Sequence, residues 1–127
     1  MAKWKRWGLQ NLDAGVRFPS AAQKMQLNEA VAKTQGVVDK MPGEKWGVYQ
    51  RFNDLVEEVG ELANAIQVKE GWKTRNRSKA DLIDSVCDVL YSVFAIASIY
   101  KIDVDKEYSK VLKQIDSRRK KGDFDHI

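Results

Sequence analysis

Apolar positions recur at three- and four-residue intervals in long blocks, and no stretch alternates apolar with polar residues for long enough to compete as a strand. The pattern predicts four helices. The first covers about residues 20–40, entered from Pro19 through a capping box of Ser20 with Gln23 and stopped by "MPGEKWG". The second covers about 45–69 and gives way to the polar, basic link "EGWKTRNR". Ser78 with Asp81 repeats the capping-box pattern and opens a third helix, 79–100. Asp103 is the expected N-cap of a fourth, 104–121, which ends before Gly122. No internal repeat is evident, so the expectation is one all-α domain over residues 1–127, a four-helix bundle-type protomer. Residues 1–18 have no clear helical period and 122–127 read as a tail.

Within the second helix, Leu55, Val59, Leu62 and Ile66 form one narrow stripe, the face expected to pack in the core. Glu58 borders that stripe, Glu61 lies one step further round, and Glu57 points more nearly to solvent. Glu58 and Glu61 are i and i+3 neighbours, about 5–6 Å apart at Cβ, so their charges repel beside low-dielectric surface unless a cation or proton intervenes. Gly60 costs the helix about 0.5–1 kcal/mol relative to alanine, and close approach of another helix is one reason to tolerate it. The plainer alternative for the three glutamates is a solvated helix face.

On the third helix Asp81, Asp84 and Asp88 share a narrow arc with Ser85 and Ser92, while Leu82, Ile83, Val86, Cys87, Val89, Leu90, Val93 and Phe94 make the remainder apolar. Asp81 reads as a capping residue, Cys87 as a small core residue. Asp88 sits inside the apolar run, where an uncompensated aspartate is costly. Hard carboxylate oxygens on two facing helices suit Mg²⁺ or Mn²⁺, which keep waters for a phosphate substrate to replace. His126 stands alone near the end, against the Glu-x-x-His pairs of di-iron bundles.

The composition, 127 residues with 43% hydrophobic and 31% charged, is that of a chain with a real core. A single cysteine, Cys87, allows no internal disulfide, and a reducing, cytoplasmic setting is expected. The start has no apolar run behind its basic residues, and the stretch Val86 to Tyr100 is interrupted by Asp88 and serines, so no membrane association is expected. The net charge of +4 is concentrated at the two ends, which read as solvated tails or as a basic rim for an anionic ligand.

"EEVGEL" at 57–62, followed after a basic linker by "DSVCDVLYSVFAIASIYKIDVDKEYSKVLKQIDSR" at 84–118, resembles the MazG-like nucleotide pyrophosphohydrolases of the all-α NTP pyrophosphatase superfamily. The resemblance implies Mg²⁺-dependent hydrolysis of nucleoside triphosphates to monophosphate and pyrophosphate. It implies Glu58 and Glu61 as the first acidic pair, with Asp88 closing the second. The glutamate that would open that second pair falls on Ser85, and Asp84, one residue earlier and i, i+4 to Asp88, is the expected fourth ligand. Glu61 and Glu57 are the two candidates for accepting the proton of the attacking water. Lys113 matches a phosphate-binding lysine of the last helix, with Arg118 and Lys120 following it, although Ser117 stands where asparagine is expected. Trp46, Tyr49, Phe52 and Trp72 are candidates for a base pocket, each with a core-packing alternative. Relatives assemble as dimers or tetramers, and the apolar circumference of the third helix independently favours a homodimer or homotetramer.

Two other classes compete. A nucleic-acid-binding module would use "KWKRW" and "RRKKG". A non-catalytic nucleotide-binding scaffold would explain Ser85 and Ser117. Phosphoribosyl-ATP pyrophosphohydrolase shares the same acidic logic.

Overall fold

Helix ends in this chain are set by side chains and turns that satisfy the orphaned backbone groups. The structure, a computed structural model, describes residues 26–74 and 81–126. Among them are four helices and no strand: α1 (Leu27–Asp39), α2 (Val48–Lys69), α3 (Leu82–Ile99) and α4 (Val104–Lys120). The all-α expectation is met. The Ser20 and Ser78 capping residues and residues 1–18 lie outside the described residues.

Asp81 is not the third residue of α3 but its N-cap, its carboxylate accepting the Asp84 N–H at 2.8 Å. A short acceptor at Asp81 fixes the start there, three residues later than the spacing from Ser78 suggests. Asp103 caps α4 as expected, accepting the Lys106 N–H at 3.2 Å. α2 begins at Val48 rather than 45, where Gln50 Oε1 accepts the Gly47 N–H at 3.0 Å. α2 and α3 both close with a Schellman pattern. In the first, the N–H of Trp72 reaches the Gln67 carbonyl and Gly71 takes the left-handed conformation; in the second, Ile102 reaches Ala97 and Lys101 takes φ 53° without being glycine.

α2 and α3 pair along their length, and α1 lies on α3. α4 meets α1 start to start. Asp105 accepts the backbone N–H groups of Leu27 (3.0 Å) and Asn28 (3.2 Å), while Asn28 accepts from Val104 N–H (2.8 Å) and donates to Asp103 (2.9 Å). Each helix thus caps the other.

The packed face of α2 differs from the sequence expectation. Arg51 and Ala65 are its buried residues, with Asp54, Glu58 and Glu61 half-buried between them, whereas Val59 and Ile66 of the apolar stripe remain 49% and 46% exposed. The inward face is rotated by roughly a quarter-turn from that stripe. It meets a face of α3 that is small and polar, with Ser85, Ser92 and Ala95 buried. Ile83, Val86, Leu90 and Val93 point outward, and Cys87, expected in the core, is exposed with them. α3 is by length and composition apolar enough to cross a membrane, a test that its 18 residues pass despite Asp84 and Asp88. A mostly buried core helix passes the same test; α3 lies against both α1 and α2, with 22% of this stretch buried among the described residues.

Candidate metal and nucleotide site

One face of α2 carries Arg51, Asp54, Glu58 and Glu61 at i, i+3, i+7 and i+10, a spacing that aligns them along the groove facing α3. Across that groove α3 supplies Asp88 and Tyr91, and Ser92 one turn beyond Asp88. Ser92, wholly buried, donates from Oγ to Asp54 Oδ2 at 2.9 Å and fixes the register of the two helices.

Glu58, Glu61 and Asp88 each place a carboxylate oxygen within 4.8 Å of the others. The crowding is visible in protonation. Burial pushes the Glu58 carboxyl above its ordinary value of 4.5, and the neighbouring charges of Glu61, Asp88, Asp54 and Glu57 push it the same way. Glu58 Oε2 is buried and has no hydrogen-bond partner. A half-buried carboxylate held near four others, with one oxygen unpaired, fits a hard divalent cation bound through oxygen.

The sequence expectation named these three residues, and the structure brings them together. Asp84 is placed otherwise: it is exposed at the first turn of α3 and is not among the converging carboxylates. Ser85, at the position of the expected glutamate, is fully buried with its Oγ unpartnered. Glu57 is exposed, outside the groove. Asp54 escaped notice in the sequence, although it stands i−4 from Glu58 on the same face.

A cleft of ≈460 Å³ opens over the acids, lined by Asp54, Glu58, Asp88, Arg51, Tyr91 and Trp46, with Val38, Met41 and Pro42 on its apolar side. Of the candidate base-pocket residues, Trp46 lines this cleft. Tyr49 (81% exposed), Phe52 and Trp72 (84% exposed) do not. Arg51 and Tyr91 are not among the sequence-based candidates; the ring contacts that mark them join separate chain segments.

Lys113, Arg118 and Lys120 lie exposed on α4 and do not line the cleft. Arg118 pairs with Asp123 at 3.3 Å and lies 4.8 Å from the Phe124 ring, and Lys120 pairs with Asp116 at 3.2 Å.

A family model described as the MazG nucleotide pyrophosphohydrolase domain matches residues 50–122, more than half of the chain. The match takes in Arg51, both acidic segments and α4. Comparison with curated proteins and with solved structures gave no match.

Proposed function

The chain belongs to the MazG nucleotide pyrophosphohydrolase family, and from that premise we propose that it hydrolyses nucleoside triphosphates, ribo- or deoxyribo-, to the monophosphate and pyrophosphate with Mg²⁺. Mn²⁺ is a chemically equivalent substitute. The observation that carries the reading is the convergence of Glu58, Glu61 and Asp88, of which Glu58 and Asp88 line a cleft large enough for a nucleotide.

Glu58, Glu61 and Asp88 would hold the cation. When bound, Mg²⁺ neutralises phosphate charge and makes water a better nucleophile near neutral pH. Glu61 then serves as proton acceptor for a water attacking the α-phosphorus, since Glu57 lies outside the groove. The bond from the α-phosphorus to its bridging oxygen breaks and pyrophosphate leaves. Asp54, tied to Ser92, adds to the negative charge around Glu58 and so to the attraction of the site for a cation. Trp46 offers the base an aromatic surface on the apolar side of the cleft.

The protomer alone leaves two requirements open, and a second copy meets both. Its buried apolar residues among those described are Ala65, Ala95 and Ala97, while Val59, Ile66, Val86, Leu90, Val93, Leu112 and Ile115 are each at least two-fifths exposed. Such a surface is covered in a homodimer or homotetramer. The same assembly would carry Lys113, Arg118 and Lys120 of one copy to the triphosphate in another, where they offset charge on the departing pyrophosphate.

The test is pyrophosphate release with Mg²⁺ across ordinary and modified nucleoside triphosphates, beside Glu61→Gln and Asp88→Asn. Release abolished in both variants is the expected result. Absence of release from every substrate would leave a nucleotide-binding scaffold as the reading, and unchanged release in Asp88→Asn would move the site elsewhere.

A further inference from the structure

Arg51 is a buried cation, 7% exposed, on the wall of the cleft. Its guanidinium carbon lies 5.0 Å from the centroid of the Trp46 ring and 5.9 Å from that of Tyr91. No ion pair among the described residues involves it. This is an unusual way to hold an arginine in the interior, since desolvating a guanidinium is costly unless its donors are used. Rings against the guanidinium stabilise the charge but accept none of its N–H groups in good geometry. Its five donors lie in the guanidinium plane, and an arginine held by stacking presents that donor edge to an in-plane acceptor.

What acceptor the cleft brings there follows from position. Arg51 precedes Glu58 by two helical turns on the same face of α2, about 10 Å along the axis. The phosphates belong at the acidic end. The Arg51 end is walled by Trp46 and Val38, beside Lys45, whose charge is paired with Asp39 at 3.2 Å; all four, Arg51 included, also line an adjoining cavity of ≈250 Å³. A flat, weakly polar ring fits an aromatic and apolar wall, and binding sites of this kind orient such a ring with a few fixed polar groups.

Resting on the nucleotide reading above, we propose that Arg51 is a specificity-determining residue: its in-plane N–H groups donate to a ring carbonyl of the substrate base. Uracil, thymine, cytosine and guanine carry such an oxygen; adenine does not. Adenine would leave a buried, charged donor without its acceptor, and sites built to bond a substrate group reject analogues lacking it far more strongly than apolar pockets reject a missing methylene.

The experiment compares the full chain with Arg51→Met and Arg51→Lys, measuring kcat/KM for pyrophosphate release from dATP, dGTP, dCTP, dTTP and dUTP. Calorimetric binding of the five corresponding monophosphates is measured in parallel. The expected wild-type result is a preference of about 100-fold or more for at least one carbonyl-bearing base over adenine. Arg51→Met should shrink that ratio by at least about tenfold, and Arg51→Lys by less, since lysine keeps a donor but not the fork. If Arg51→Met does not fold, the Arg51→Lys ratio decides. Selective monophosphate binding that depends on Arg51, without turnover of any triphosphate, would support the inference while sinking the hydrolase reading. A wild type that treats adenine like every other base would overturn it. So would variants that weaken all five nucleotides by one common factor, which is the behaviour of a phosphate contact or a purely structural arginine.

Discussion

Ser92 Oγ donates to Asp54 Oδ2 at 2.9 Å, a bond between two helices whose acceptor sits one turn before Glu58 and whose donor sits one turn after Asp88. Ser92 has no exposed surface at all, and Asp54 is half-buried on the wall of the cleft. Hydrogen bonds to a charged group contribute about 1.5–3 kcal/mol, and Ser92→Ala leaves Asp54 without this partner. We expect the variant to lose stability of that order in urea unfolding, and to bind Mg²⁺ more weakly as α2 and α3 lose register. A midpoint indistinguishable from wild type would show that the bond is not needed.

Glu58 makes stability depend on pH in a direction opposite to the usual carboxylate. Its folded value lies above 4.5, so between 4.5 and that raised value the folded state holds more protons than the unfolded one. Stability of the metal-free protein therefore falls as pH rises through that window, and the cost is fully present above it. Asp39, held low by bonds from Gln35 and Lys45, Asp103, held low by Asn28 and Lys106, and Asp116, held low by Arg119 and Lys120, act the other way. Their contribution is lost only as pH falls below 3.8. Thermal melts in chelator from pH 4.5 upward should show a declining Tm that Glu58→Gln flattens and that Mg²⁺ reverses in the wild type. Parallel curves for the two proteins would contradict this.

Asp84 and Asp88 are one helical turn apart, and only Asp88 stands among the converging carboxylates. Calorimetric titration with Mn²⁺ or Mg²⁺ should show Asp88→Asn raising Kd by at least about tenfold, the loss that removal of even an outer-shell partner produces. Asp84→Asn should change it little, because Asp84 is exposed and outside the converging trio. Equal losses in both would mean that Asp84 supplies the ligand expected at position 85.

Asp105 holds two backbone N–H groups of α1 from the first turn of α4. Removing the acceptor is equivalent to removing a cap, which costs about 1–2 kcal/mol. Asp105→Ala should lower the urea midpoint accordingly and increase protease cleavage within α4, whose packing in the protomer is otherwise slight. Unchanged cleavage would place the anchoring of α4 elsewhere.

Periodicity revealed the helices because capping and stop signals such as Asp103 and "MPGEKWG" act locally. The acidic trio was legible for a related reason: Glu58 and Glu61 share a face, and Asp88 is conspicuous in an apolar run. The orientation of α2 was not. The stripe Leu55, Val59, Leu62 and Ile66 is the most hydrophobic face, yet within the protomer the helix turns Arg51, Asp54 and Glu58 toward Ser85 and Ser92. A hydrophobic stripe says which face avoids water and not which neighbour covers it. Arg51 and Tyr91 were hidden because their meaning comes from ring contacts across chain segments, which no local spacing encodes.

We propose above that the Glu58, Glu61 and Asp88 site directs water to the α-phosphorus of a nucleoside triphosphate. The most direct measurement is turnover with Mg²⁺ in water enriched in heavy oxygen, followed by mass spectrometry of both products. The label should appear in the nucleoside monophosphate and not in pyrophosphate, with no turnover in Asp88→Asn. Label in pyrophosphate, formation of diphosphate and orthophosphate, or full turnover in Asp88→Asn would contradict the account.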